Sequence, residues 1–85
     1  MNAFKLYAEV SERVVRILRD ERKRRKLSKY AMEQRVGISQ QMVGYVERGE
    51  RRPSLETALK MAAALDLDLG DVIKQAQKFA SKRNS

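Results

Sequence analysis

The chain has 85 residues, which fits one small domain (residues 1–85) with a thin core, because a chain of this size buries only about 60 to 65% of its extended surface. It contains no Cys and no His, which excludes a disulfide scaffold and removes the commonest metal ligand and general base, so no cofactor or metal is expected. Its sequence has no apolar run that could span a bilayer, and its first 20 residues lack the apolar region of a signal peptide, so we expect a cytoplasmic protein.

The net charge of +8 is distributed unevenly. Residues 1–53 carry a net charge of +7, residues 54–72 carry −3, and residues 73–85 carry +4. A cationic segment attracts polyanions because binding releases their counterions. This attraction alone does not distinguish DNA from RNA or from an acidic lipid surface.

In chain order, hydrophobic periodicity first predicts a long helix at about residues 5–25, with one apolar stripe and arginines outside it. Ser28 is a candidate N-cap for a second helix at about residues 29–36. Gly37 can adopt the positive φ that ends a helix tightly, and Ile38 is expected to fill the corner behind it. Two helices joined by a short turn are therefore predicted in this region.

The next segment predicts a helix with apolar residues on one face and mostly polar residues on the opposite face. Ser39 is a candidate N-cap for a third helix at about residues 40–48, in which Val43 and Val46 point inward. The opposite side of this helix presents Gln40, Gln41, Gly44, Tyr45 and Arg48. A helix that is apolar behind and rich in amides in front suits the reading of base edges in a DNA major groove.

Two further helices complete the pattern. The Pro-Ser pair at residues 53–54 predicts the start of a helix over about residues 55–65. Asp68 is expected to cap a fifth helix over about residues 69–82. The predicted fold class is all-α, with five helices and a core formed by about residues 9–73.

Several of these features occur together in one known family. They are Leu27-Ser28 before the second helix, Gly37 in the turn, Val43 and Val46 in the third helix, and the run ERGERRPSLET at residues 47–57. With them the chain resembles the lambdoid phage repressors and Cro, the Xre-type helix-turn-helix regulators, over roughly residues 14–73. The resemblance implies a lambda-repressor-like domain that binds double-stranded DNA.

The resemblance also implies roles for particular residues. The third helix would be the recognition helix, with Gln40 and Gln41 reaching bases. Gly44 and Tyr45 are assigned to the same base-reading surface, although the glycine could simply be tolerated there. The phosphate-binding residues expected around this surface are Lys29, Ser39, Arg48, Arg51 and Arg52. A solvated loop is the alternative for Arg51 and Arg52.

Two positions bear on how the third helix is held. Family members often pair an arginine of the first helix with the glutamate that closes the third, and the matching residues of this chain are Arg22 and Glu47. Glu33 departs from the family, which prefers a small alanine at this position. A carboxylate there needs a partner or access to solvent, because burying it unpaired is costly.

Apolar residues beyond a minimal core have two interpretations. Ile73, Ala76 and Phe79 of the fifth helix could form the interface of a homodimer, which is the arrangement we favour, because family members bind palindromes as two-fold dimers. Alternatively, this face could pack on the cluster formed by Phe4, Leu6 and Tyr7.

The function expected from these observations is sequence-specific transcriptional regulation by a homodimer. Two other classes remain open: an interaction module that binds a protein partner such as a toxin, and non-specific binding of nucleic acid or a membrane surface by the basic face. No enzymatic activity is expected, because the sequence contains nothing that resembles a nucleophile–base pair or a cluster of metal ligands.

Overall fold

The computed structural model describes residues 3–83, and the side chains of residues 5–82. This part of the chain contains five helices and no strand, as the sequence predicts. The helices are α1 (Ala3–Arg24), α2 (Lys29–Val36), α3 (Gln40–Glu47), α4 (Leu55–Ala64) and α5 (Leu69–Arg83). Their ends lie within two residues of the predicted ones.

The helices α2 to α5 begin where the sequence predicts, because each N-cap hydrogen bond joins residues that are only three apart in the chain. The hydroxyl oxygens of Ser28, Ser39 and Ser54 accept hydrogen bonds from the backbone N–H three residues later, at 3.0, 3.1 and 3.0 Å. Asp68 accepts from the Asp71 N–H in the same way, at 3.1 Å. These bonds satisfy donors that the first turn of a helix leaves without an intrahelical partner.

Left-handed residues follow the ends of the first four helices. Gly37 has φ 77° directly after α2, and Gly49 has the same φ two residues after α3. Lys26 and Asp66 each have φ 55° after α1 and α4, at positions where no glycine signals the turn. After Asp66, the Leu67 N–H donates to the Ala62 carbonyl at 2.9 Å, which closes the end of α4.

The core lies where the apolar faces of the five helices meet. Its largest fully buried side chains are Leu18, Met32, Val43, Val46, Met61 and Leu65. None of the helices within residues 3–83 combines the length and the apolarity that a membrane span requires.

The packing of α5 on α1 corrects one sequence prediction. Ala76 is 0% exposed and belongs to the core of the monomer, so its assignment to a dimer interface was wrong. Ile73 is half-buried beside that core, and Phe79 remains 38% exposed. The predicted cluster partner Phe4 lies outside the residues whose side chains are described.

Candidate nucleic-acid interface

The α2–turn–α3 unit is held by apolar contacts behind it. Met32, Val43 and Val46 are fully buried, and Ile38 in the turn is 5% exposed. Gly37 makes the turn possible, because a glycine adopts the left-handed backbone conformation that ends a helix tightly. In this conformation its backbone N–H donates to the Glu33 carbonyl at 2.9 Å. These contacts form a closely packed support for the outer face of α3.

An ion pair fixes the far end of α3 to α1. Arg22 donates from Nε and Nη2 to the two carboxylate oxygens of Glu47, at 2.7 and 2.8 Å, and from Nη1 to the Leu27 carbonyl at 2.8 Å. The bonds to Glu47 raise the pKa of Arg22 above its ordinary value. The Arg22–Glu47 pair expected from the family resemblance is therefore present.

The two glutamines at the start of α3 are exposed, and each has a partner on the protein. The Gln41 amide donates from Nε2 to the Tyr45 hydroxyl at 2.9 Å. The Gln40 amide donates from Nε2 to Glu33 Oε1 at 3.3 Å. The Glu33 carboxylate therefore has the partner that its position requires.

Arginine side chains surround Tyr45 at the other end of this face. The guanidinium carbons of Arg51 and Arg48 lie 4.9 and 5.5 Å from the centroid of the tyrosine ring. Arg48 also binds the Glu50 carboxylate, through Nε at 2.7 Å and Nη2 at 2.6 Å. The pairing of Glu50 with Arg48 was not predicted, because the sequence of a charged loop does not show which cation its carboxylate binds.

Gly44 does not form part of the exposed surface. It is buried, and a Cβ added to it would lie 2.8 Å from Arg48 Nη1 and 3.5 Å from Lys29 Nζ. In the free chain these two side chains cover the glycine, and its close approach to DNA stays a prediction. The glycine makes room for the ends of two cationic side chains above the helix.

Sequence comparison identifies the family. A family model described as helix-turn-helix matches residues 18–72. The chain belongs to the helix-turn-helix family of the lambda repressor and Xre type. No curated protein and no solved structure matches it.

As a helix-turn-helix protein, the chain is a DNA-binding regulator. The match begins in the second half of α1 and ends near the start of α5. Around α3 the structure brings together most of the residues expected to contact DNA. Three cations lie there, Lys29 and Arg48 beside Gly44 and Arg51 beside Tyr45, and Arg52 is exposed in the loop that follows. Ser39 lies at the N-terminus of α3, where its hydroxyl is used as the cap.

Proposed function

We propose that this protein is a sequence-specific transcriptional regulator that binds double-stranded DNA as a homodimer and recognises a palindromic operator. The observation that carries the proposal is the contrast between the two faces of α3. Gln40 and Gln41 are exposed on its outer face, and Val43 and Val46 are fully buried on its inner face. A helix of this kind fits the major groove, where an amide can donate to and accept from one base edge.

The cations around α3 supply the sequence-independent part of binding. Arg51 and Arg52 are exposed in the loop after α3, and no carboxylate pairs with either of them within the described part of the chain. Arg48 forms an ion pair with Glu50. To bind a phosphate, its guanidinium must leave that carboxylate or bridge between the carboxylate and the phosphate. We therefore assign Arg51 and Arg52 as the principal phosphate ligands in this loop, because arginine binds phosphate in two-pronged geometry.

Selection of bound duplexes from a random pool, followed by single-residue variants, tests this assignment. We expect selection with the wild-type protein to yield a palindromic DNA sequence whose half-sites lie about 34–36 Å apart. Gln41→Ala should lose preference at one base step, by about 1–3 kcal/mol of discrimination. Arg52→Ala is the matched control, since it should weaken binding to all duplexes about equally and lower the slope of log K against log salt by about 1.

Three outcomes contradict parts of this proposal. Equal loss on every duplex for both variants would remove the base-reading role of Gln41. Equal wild-type affinity for selected and scrambled duplexes, falling together as salt rises, would leave only electrostatic binding. Weak DNA binding under all salt conditions would instead favour an interaction module that binds a protein.

The homodimer is supported by an apolar groove between the N-terminal ends of α1, α4 and α5. Ile73 lines this groove together with Leu6, Tyr7, Val10, Leu55 and Leu69. Tyr7 and Leu55 are 68% and 69% exposed, a large area for apolar side chains to leave in water. By contrast, Phe79 is partly covered by the Arg13 guanidinium, whose central carbon lies 3.8 Å from the ring centroid. We therefore assign the dimer contact to this groove and to Ile73.

A further inference from the structure

The Gln41 side chain is already oriented before any DNA is present. Gln41 and Tyr45 are four residues apart, so they lie one above the other on α3. The Gln41 Nε2 donates to the Tyr45 hydroxyl oxygen at 2.9 Å, a distance typical of a well-formed hydrogen bond. One amide N–H and the amide oxygen of Gln41 remain for a base, and the tyrosine hydroxyl keeps its own proton to donate.

The tyrosine is itself held in place. Its side chain is half-buried, and its ring lies within 4.9 Å of the Arg51 guanidinium carbon and 5.5 Å of that of Arg48. Its backbone carbonyl accepts from the Glu50 N–H at 2.9 Å and from the Arg51 N–H at 3.3 Å, so the same residue organises the loop that follows α3. Backbone and ring contacts together leave the hydroxyl little freedom to move away from Gln41.

From this geometry we infer that Tyr45 is a positioning residue for DNA recognition, whose hydroxyl holds the Gln41 amide in the orientation that meets a base edge. An exposed glutamine samples many rotamers, and ordering them on binding weakens the complex. The hydrogen bond to Tyr45 restricts those rotamers in the free protein. The inference rests on the proposed function, because it concerns how one base-reading side chain of α3 is prepared.

Tyr45→Phe tests the inference, since it removes the hydroxyl and keeps the ring beside Arg48 and Arg51. Binding is measured on the selected operator and on duplexes altered at one base pair at a time. We expect Tyr45→Phe to lose about five- to tenfold of discrimination at the same base step as Gln41→Ala. Affinity for unrelated DNA and the salt slope should match those of the wild type, because no phosphate ligand is removed.

A double-variant comparison distinguishes positioning from direct contact. If the hydroxyl acts through Gln41, then Tyr45→Phe combined with Gln41→Ala discriminates no worse than Gln41→Ala alone. Gln40→Ala provides the matched control, because its amide is bonded to Glu33 rather than to Tyr45. The loss of discrimination caused by Gln40→Ala should therefore multiply with the loss caused by Tyr45→Phe when the two substitutions are combined.

Each remaining result overturns the inference. Wild-type discrimination by Tyr45→Phe would show that the hydroxyl does not position Gln41, although the proposed function would stand. Losses that multiply for Tyr45→Phe and Gln41→Ala would show that the hydroxyl contacts its own base. A wild-type protein without any preference among duplexes would overturn the proposed function as well. Thermal unfolding of each variant, expected to match that of the wild type, keeps these outcomes separate from misfolding.

Discussion

Glu47 fixes the C-terminal end of α3 to α1 through its ion pair with Arg22. Its side chain is 5% exposed and that of Arg22 is 11% exposed, so the bonds between them are shielded from water. Replacing Glu47 by Ala would leave the guanidinium buried without its carboxylate. We expect Glu47→Ala to lower the free energy of unfolding by about 3 kcal/mol, measured by urea denaturation, because breaking a buried pair leaves one charge uncompensated.

Arg24→Ala is the control for this prediction. Arg24 also donates two hydrogen bonds to a glutamate, Glu21, but its side chain is 69% exposed. Exposed ion pairs contribute little, so the urea midpoint of Arg24→Ala should stay close to that of the wild type. Equal destabilisation by Arg24→Ala and Glu47→Ala would mean that burial does not set the strength of the Arg22–Glu47 pair.

Side-chain partners were predictable from the sequence only where the family resemblance supplied them. Arg22 and Glu47 are 25 residues apart, and no local pattern relates them. The partner of Glu33 was not predicted, because Gln40 meets it only after the turn folds α3 back against α2. The bond from Gln41 to Tyr45 depends on the rotamers of two surface side chains, which helical spacing permits but does not determine.

At the scale of the helix, Gly44 lowers the stability of α3 but leaves room on its surface for the ends of the Arg48 and Lys29 side chains. A glycine inside a helix costs about 0.5–1 kcal/mol relative to alanine. The nearest atom to an added Cβ is Arg48 Nη1, the end of a flexible side chain, so the clash can be relieved by movement of Arg48. We expect Gly44→Ala to raise the free energy of unfolding by about 0.5 kcal/mol and to weaken operator binding, measured by urea denaturation and titration of DNA.

Gly37→Ala should behave in the opposite way. Nothing lies within 4 Å of a Cβ built on Gly37, but its φ of 77° is unfavourable for alanine. The variant should therefore lose about 1 kcal/mol of stability. A Gly44→Ala protein that is less stable than the wild type would mean that Arg48 cannot move away.

Helix positions were predictable because they depend on residues adjacent in the chain. The caps Ser28, Ser39 and Ser54 each act within three residues of themselves, which a sequence pattern can reveal. The left-handed conformations of Lys26 and Asp66 were not predictable, because neither residue is a glycine. Both turns are closed by local backbone bonds, from the Leu27 N–H to the Arg22 carbonyl and from the Leu67 N–H to the Ala62 carbonyl.

For the whole molecule, the sequence indicated that α5 carries more apolar residues than a minimal helix-turn-helix core needs, but not which of them face outward. Ala76 and Ala80 are small enough to let α5 approach α1 closely, and both are buried. Helical periodicity places Ile73, Ala76 and Phe79 on one broad face, and only packing divides that face between the core and the surface. The candidate dimer surface therefore had to be inferred from the apolar groove.

Leu55 offers a direct test of that groove. It is the first residue of α4 and 69% exposed, so replacing it by Glu adds a charge to the groove at a helix N-terminus, where a carboxylate is favourable. We expect Leu55→Glu to remain folded but to sediment as a monomer at concentrations where the wild type is a dimer. Its affinity for the full palindrome should fall much more than its affinity for a single half-site, because only the palindrome requires two linked copies. Ala63→Glu, which adds the same side chain at an exposed position of α4, should stay dimeric, and a Leu55→Glu protein that also stays dimeric would place the dimer contact elsewhere.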